Sequence, residues 1–174
     1  MIIQSGFRVP YTVKETPDKG RGVFAEAPVN KGDILWRFVP GQYAVYDERT
    51  FLAAIKGMSK ADIAYELTHA FGMKEFPDYL IRISDDGVLI NHADDANTAT
   101  QSTLSDEQPV LAVAQTIQDV TKALLGDRYA LIALRDIAAG EELTNNYEIE
   151  VADPPFYLTL CDQYGVDEDY LEAE

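Results

Sequence analysis

The apolar runs of this chain are short, and tight-turn residues separate many of them. The longest run, residues 129–134, has six residues, whereas a membrane-spanning helix needs about 20. Runs this short form brief strands or the buried faces of short helices. In a chain of 174 residues, at about 100–200 residues per domain, they predict one domain of mostly β, α+β class. We expect neither a membrane span nor a secretory signal.

Glycine and proline divide the first third of the chain into β-like segments. Residues 7–13, 22–25 and 34–39 are rich in β-branched and aromatic residues, and the last of them ends at Pro40-Gly41. This pattern predicts short strands joined by tight turns. Residues 79–90 contain two more such runs around Asp86-Gly87, a dipeptide that type I′ turns favour. We therefore predict a hairpin there.

The hydrophobic period changes between residues 59 and 72. Apolar residues then recur every four positions, which predicts a helix. Ser59 followed by Asp62 resembles a capping box, and Gly72 suits the position just after a helix. The spacing predicts a helix over residues 59–72.

Three further elements are predicted in the second half of the chain. Residues 113–124 have apolar spacings of 4, 3 and 4 and precede a glycine, which indicates a helix, although residues 110–113 also suit a strand. Residues 129–134 predict a strand. Residues 156–164 follow two prolines and predict a C-terminal helix.

Cysteine and histidine are too scarce to form disulfides or a metal site. The single cysteine, Cys161, excludes an intramolecular disulfide and a multi-cysteine zinc cluster. Only two histidines are present. We therefore expect no metal site.

The charge of the chain is strongly negative and unevenly distributed. The net charge is -16, which repels phosphate backbones and favours cationic partners, so direct nucleic-acid binding is not expected. Residues 1–60 carry nine Lys/Arg against six Asp/Glu, whereas residues 148–174 carry nine Asp/Glu and no Lys or Arg. Such a surface serves either solubility or the attraction of a lysine-rich ligand.

Three separated segments carry the chemical information. They read KGRGVFA at residues 19–25, LINHADDAN at 89–97 and ALRDIAAGEELTNNY at 133–147. Each alone predicts only a turn or a corner. In this order and spacing they resemble the SET-domain protein lysine methyltransferases, whose signature has a glycine-punctuated first segment, Asn-His-Ser-Cys-x-Pro-Asn and Gly-Glu-Glu-Leu-x-x-Asp-Tyr. The resemblance covers most of the chain.

The resemblance implies a fold and an activity. The fold has small curved sheets and a C-terminal pseudoknot, in which the last motif threads beneath an earlier loop. It implies a single SET domain over residues 1–174, with a variable insert at about 44–78 and an acidic C-terminal segment at about 153–174. It also implies transfer of a methyl group from S-adenosylmethionine to lysine in a protein substrate. Without cysteine-rich flanks, the chain is more similar to the small stand-alone members, and we expect it to be soluble and cytoplasmic.

The resemblance also assigns roles to individual residues. Asn91 and His92 hold the amino and adenine groups of the cofactor largely through their backbone, and Tyr147 is the catalytic residue beside the sulfonium. The methionine end is assigned to the segment Arg21, Gly22, Val23 and Phe24. The channel wall or the cover over the adenine is assigned to Tyr79, Phe156 and Tyr157. For each tyrosine and for Phe156, the alternative is a packed core residue.

Two departures from the signature motivate other functions. Residues 93–96 read Ala-Asp-Asp-Ala in place of Ser-Cys-x-Pro, and Asn146 replaces the Asp before the final Tyr. Asn146 keeps a carbonyl acceptor and loses the charge. The alternative function is therefore a catalytically silent SET-like domain that acts as an acidic protein-interaction module. A third reading is methylation of a group other than lysine.

Overall fold

A computed structural model describes residues 5–104 and 116–166. Its elements alternate short strands with short helices, so the fold is α+β as predicted. The strands are β1 (Tyr11–Thr16), β2 (Gly20–Ala25), β3 (Ile34–Trp36), β4 (Tyr43–Tyr46), β5 (Ala70–Met73), β6 (Phe76–Ile83), β7 (Asn91–His92), β8 (Thr98–Thr100), β9 (Leu131–Ala133) and β10 (Thr144–Asn145). The helices are α1 (Glu48–Ile55), α2 (Lys60–Thr68), α3 (Ile117–Leu124), α4 (Tyr147–Glu150) and α5 (Pro155–Tyr164).

The described strands form three small sheets. The first is the antiparallel pair β1-β2, and the second has the order β4-β6-β5. The third has the order β3-β9-β8-β10-β7 and contains the second and third motifs. Within the described residues, no helix has both the length and the apolarity that a membrane crossing requires.

The third sheet contains the predicted threaded connection. The two-residue strand β10 lies between β7 and β8 and pairs with both in parallel, so residues 93–97 must cross over it. The buried Asn97 holds the crossing, because its Nδ2 donates to the Glu142 carbonyl (2.7 Å) and its Oδ1 accepts from the Thr144 backbone N–H (2.9 Å). One amide side chain thus replaces ladder hydrogen bonds that so short a strand cannot make.

The core divides into two hydrophobic clusters. The first, here the motif cluster, lies among β2, β3, β6, β9 and α3, and its fully buried members include Val23, Leu35, Ile81, Val120 and Leu143. The second, here the insert cluster, joins α1, α2 and α5 to one face of β6. Its members are Phe51, Ile55, Ile63, Leu67, Ala70, Leu80, Tyr157, Leu160, Cys161 and Val166.

The helix predicted over residues 59–72 is shorter than expected. Its start is confirmed, because Ser59 Oγ accepts from the Asp62 backbone N–H (3.2 Å). It ends at Thr68, and Gly72 lies within β5 instead of following the helix. The prediction was wrong there because residues 70–73 pair with β6. A Cβ at Gly72 would lie within 3.0 Å of the Ala152 carbonyl, so the glycine serves close backbone approach.

The hairpin predicted around Asp86-Gly87 is also wrong. After β6 the chain forms a 3-10 turn over Asp86–Leu89, and Gly87 is not among the positive-φ glycines. The Asp85 side chain organises this turn, accepting from the backbone N–H of Gly87 (3.0 Å) and of Gly6 (2.6 Å). A single carboxylate therefore overrides the local preference of the dipeptide.

The remaining elements agree with prediction except at their ends. The strand predicted over residues 34–39 ends at Trp36, and the strand predicted over 129–134 is limited to β9. α3 begins at Ile117, and the strand alternative at residues 110–113 lies outside the described residues. The C-terminal helix is confirmed as α5, with Pro155 at its first position.

Candidate active site

A cavity of about 690 Å³ lies where β2, β5, β7, β10 and α4 meet. Four of the residues predicted for the site line it, namely Arg21, Asn91, His92 and Tyr147. They come from all three motifs. The threaded crossing brings them together, because β7 and β10 are paired in its sheet.

Tyr147 is fixed at both its backbone and its hydroxyl. It begins α4, and its hydroxyl donates a hydrogen bond to the Ile90 carbonyl. Its backbone N–H donates to His92 Nδ1 (3.1 Å), and the two rings lie 5.4 Å apart between centroids. Because His92 Nδ1 accepts, the neutral ring carries its proton on Nε2, which lies 3.2 Å from Asp94 Oδ1. The second motif thus orients the last residue of the third.

Gly22 allows the first motif to approach the other two. A Cβ at this position would lie within 3.0 Å of Glu142 Oε1 and of Asn91 Nδ2. Asn91 Nδ2 in turn donates to Glu142 Oε1 (2.7 Å) and to the Arg21 carbonyl (3.2 Å). Any larger residue at position 22 must therefore displace this amide–carboxylate contact.

Val23 and Phe24 connect the first and third motifs without lining the cavity. The Val23 carbonyl accepts from the Leu143 backbone N–H (2.8 Å), and Phe24 forms an isolated bridge with Glu142. Val23 is fully buried. These two residues hold β2 in place through their backbone, while the Val23 side chain is part of the motif cluster and the Phe24 ring lies 5.1 Å from Lys14 Nζ.

Cationic groups of the cavity wall lie in and beside the β1-β2 turn. Lys19 and Arg21 both line the cavity, and Lys19 Nζ donates to the His92 carbonyl (2.5 Å). Asp18 lies beside them. This part of the wall can bind an anionic group and also offers a backbone acceptor at His92.

The three aromatic residues predicted for a channel do not line the cavity. Tyr157 is fully buried in the insert cluster, where its hydroxyl donates to the Leu67 carbonyl (2.9 Å). Phe156 packs against the same cluster, with its ring centroid 6.4 Å from that of Phe51. Tyr79 packs against the motif cluster, and burial raises the pKa of its hydroxyl. The structure does not bring them together with Tyr147.

Several cavity residues were not singled out by the sequence reasoning. The apolar part of the wall includes Trp36, Phe38, Met73 and Ile83, and the polar part includes Tyr129 and Glu150. The Tyr129 hydroxyl donates to Glu75, and burial, reinforced by that carboxylate, raises its pKa. Glu150 stands three positions after Tyr147, a spacing that places two residues on one helix face. That spacing was the available signal for Glu150.

No metal centre accompanies the cavity in the part of the chain that the structure describes. Over residues 5–104 and 116–166, His, Cys, Asp and Glu side chains form no group of three or more that is arranged to hold a metal ion.

Comparison with known families decides the assignment. A model of the SET domain matches residues 20–148, a range that contains all three motifs except Lys19, the first residue of the first motif. The chain belongs to the SET-domain family. Members of this family include lysine methyltransferases, and a search of curated proteins found no match to this SET domain.

Two solved structures are similar to this SET domain. One is the Neurospora SET domain protein DIM-5, a histone lysine methyltransferase, at 19% identity and a TM-score of 0.49. The match covers 82% of this chain and 53% of that chain, so this SET domain spans about half the length of the Neurospora chain. The other comes from Plasmodium falciparum and is assigned as a histone methyltransferase, at 13% identity and a TM-score of 0.45, with 81% and 95% of the two chains covered.

Proposed function

We propose that this SET domain transfers a methyl group from S-adenosylmethionine to the side-chain amine of a lysine in a protein substrate. The observation that carries the proposal is the convergence of Arg21, Asn91, His92 and Tyr147 on one cavity. Family membership supports the reaction class. The cavity adds residues whose chemistry suits both the cofactor and an amine.

The cavity residues fit S-adenosylmethionine. The volume of the cavity, about 690 Å³, lies within the range of about 300–1,000 Å³ typical of small-molecule sites. Arg21 and Lys19 provide positive charges for the carboxylate of the cofactor. Gly22 has no Cβ, so its backbone can lie close to the other two motifs. Asn91 and His92 provide amide and carbonyl groups that can form hydrogen bonds with the polar atoms of the cofactor. When bound, the cofactor supplies an electrophilic methyl group on a sulfonium.

The reaction also requires the substrate lysine to lose a proton, which costs free energy at neutral pH. A lysine of reference pKa about 10.4 is neutral only about once in 2,500 at pH 7, which corresponds to about 4.6 kcal/mol. An apolar wall disfavours the ammonium form, and here Trp36, Phe38 and Met73 provide such a wall. Desolvation therefore favours the neutral amine that attacks the methyl group.

Tyr147 aligns the amine in this proposal. Its proton is donated to the Ile90 carbonyl, so toward the cavity its oxygen acts as an acceptor. The hydrogen bond from the Tyr147 backbone N–H to His92 Nδ1 fixes the position of Tyr147. An acceptor held in this way orients an N–H group and so directs the nitrogen lone pair, which lowers the entropic part of the barrier.

The substrate is proposed to be a basic protein. Residues 148–174 carry nine carboxylates and no cation, and such a surface attracts lysine-rich segments by steering. We assign the acidic segment at residues 153–174, apart from Asp153 in the cavity wall, to docking outside the cavity. Residues 68–71, part of the proposed insert at 44–78, line the cavity. The whole chain, 1–174, is proposed to act as one domain.

The first experiment is calorimetric titration with S-adenosylmethionine and S-adenosylhomocysteine. Saturable binding near micromolar affinity, about -8 kcal/mol, is expected for the wild type. Combined Asn91→Ala and His92→Ala changes should abolish it. No binding to a folded sample would overturn the proposal.

The second experiment measures transfer of a tritiated methyl group to a panel of lysine-rich peptides. Tyr147→Phe should lower the rate by at least about 100-fold, or about 2.7 kcal/mol, with cofactor affinity within twofold of wild type. Tyr46→Phe, a change outside the cavity, is the matched control. Cofactor binding without transfer by the wild type would favour the silent interaction module, which the replacements at residues 93–96 and 146 motivate.

A further inference from the structure

Glu150 is a carboxylate in the cavity wall that the motifs do not explain. It is half-buried, it ends α4, and it lines the cavity together with Tyr147. The two residues are three positions apart on one helical turn, so their side chains are neighbours. Both residues therefore belong to one wall of the cavity.

Hydrogen bonds from two strands hold the Glu150 carboxylate in place. Oε1 accepts from the Thr100 backbone N–H (2.6 Å), and Oε2 accepts from Thr100 Oγ1 and from Asn145 Nδ2 (2.8 Å). Thr100 and Asn145 also line the cavity. A carboxylate has about four acceptor sites, and these donors use three.

The charge around Glu150 is unlike that around the β1-β2 turn. Lys19 and Arg21, the Lys and Arg residues of the cavity wall in the described chain, lie in and beside that turn together with Asp18, whereas the segment after Tyr147 contributes Glu150 and Asp153. Among the described residues, no lysine or arginine pairs with Glu150. Asp153 instead accepts from the Gly72 backbone N–H (2.8 Å). Glu150 is therefore an acidic group of the cavity wall that no described lysine or arginine neutralises and that has one acceptor site left for a ligand.

We propose that Glu150 selects a cationic side chain, by receiving the ammonium of the incoming lysine next to Tyr147. This inference rests on the proposed function. The step assigned to Glu150 is binding, and it forms and breaks no covalent bond. The ammonium then loses its proton to solvent before its nitrogen attacks the methyl group. Glu150 thus determines which side chain enters, and Tyr147 determines how its nitrogen is aligned.

Glu150→Gln tests the role of the charge, because glutamine keeps the shape and one oxygen acceptor. Its matched control is Glu148→Gln, on the same helical turn but exposed and outside the cavity. For a lysine-rich peptide that the wild type methylates, Glu150→Gln should raise KM about tenfold, equivalent to about 1.4 kcal/mol. It should leave kcat and S-adenosylhomocysteine affinity within twofold. An unchanged KM would overturn the inference and leave the proposed function intact.

A second readout does not require methyl transfer. The Thr100 amide donates to Glu150 Oε1, so its resonance in an amide NMR spectrum reports on the carboxylate. Titration with n-butylammonium should shift it in the wild type and in Glu148→Gln, whereas n-butanol should not. In Glu150→Gln, n-butylammonium should have no more effect than n-butanol.

The transfer assay and the NMR titration together separate failure of the Glu150 inference from failure of the methyltransferase proposal. If n-butylammonium leaves the Thr100 resonance of the wild type unchanged, Glu150 is not a cation site, whatever the transfer assay shows. If it shifts the resonance but no lysine peptide is methylated, the methyltransferase proposal fails and Glu150 still binds cations. A shift that persists in Glu150→Gln would assign the cation site to another residue.

Discussion

The motif cluster and the insert cluster are held together by different forces. Around the motif cluster, polar side chains connect segments far apart in sequence, as Asn97 connects to Glu142 and Thr144. The insert cluster packs apolar side chains of α1, α2 and α5, and its members Leu67 and Cys161 are fully buried. The first arrangement fixes directions and distances, whereas the second mainly removes area from water.

This difference assigns separate tasks to the two regions. Precise geometry is needed where Tyr147, His92 and Glu150 face a cavity, and hydrogen bonds supply it. The insert cluster packs against β5 and β6, and apolar contacts are sufficient to support these two strands. Apart from Ala70, which also lines the cavity, substitutions in the insert cluster should therefore change stability alone. Substitutions in the crossing should change stability and cofactor affinity together.

Leu67→Ala gives the largest expected effect and tests the insert cluster. Leu67 is fully buried in α2, so the change should lower the free energy of unfolding by about 3 kcal/mol. S-adenosylhomocysteine affinity of the remaining folded protein should stay within twofold. Urea denaturation and calorimetry measure the two quantities. Leu52→Ala, at a residue of α1 that is 44% exposed, should change stability by less than about 0.5 kcal/mol.

A loss of cofactor affinity in Leu67→Ala, measured where the protein is still folded, would break the comparison. It would show that the insert cluster positions the site.

Asn97→Ala tests the crossing. Asn97 is 2% exposed, and its removal leaves the Glu142 carbonyl and the Thr144 N–H without their partner. Stability should fall by about 2–3 kcal/mol, and cofactor affinity should fall as well, because Thr144 directly precedes the segment leading to Tyr147. Asn30→Ala, at an exposed residue, is the control. Unchanged cofactor affinity in Asn97→Ala would contradict the positioning role.

Acid sensitivity provides a second test of the crossing. The Arg135 guanidinium, with the Ala138 N–H and the Asn97 amide, lowers the pKa of Glu141 to about 2. A lowered folded-state pKa adds stability above the unfolded value, and this stability is lost as pH falls from about 4.5 toward 2. Glu141→Gln should cost about 1 kcal/mol at pH 7, and the difference from wild type should vanish near pH 2. Urea denaturation across this range checks it.

For Glu141, the exposed Glu26→Gln variant gives the baseline for loss of one charge. A deficit in Glu141→Gln that persists at pH 2 would mean that the ionised carboxylate is not the source of the stability.

Tyr157→Phe, which is expected to change stability and not function, sharpens the boundary between the two regions. Loss of its hydrogen bond to the Leu67 carbonyl should cost about 1 kcal/mol. Cofactor affinity and methyl transfer should not change if Tyr157 is a core residue. A changed KM for a lysine peptide would instead support the channel role that the family resemblance predicts.

The sequence predicted the motif segments better than their surroundings. Arg21, Asn91, His92 and Tyr147, which line one cavity, were singled out because their motifs combine specific side chains with glycines at fixed spacing. The start of α2 was found because the Ser59 cap is a local interaction. β5 was missed because its strand pairing, such as Gly72 with Leu80, depends on a partner that periodicity does not reveal.

The polar contacts between distant segments were the least predictable. Asp85 sets its turn by accepting from Gly6 and from Trp36 Nε1 (3.1 Å) as well as from Gly87. Glu150 is fixed by Thr100, which is 50 positions away. A sequence shows that such a carboxylate exists and not which donors will surround it.

The crossing at β10 also constrains how the protein is made. β7 and β8 are synthesised before residue 101, but the strand that belongs between them follows only at Thr144–Asn145. Until that strand leaves the ribosome, the two inner edges can pair with wrong partners. Such non-local pairing slows folding. We therefore expect a nascent chain stalled before residue 144 to depend on chaperones, and release of the third motif to be the event that closes the fold.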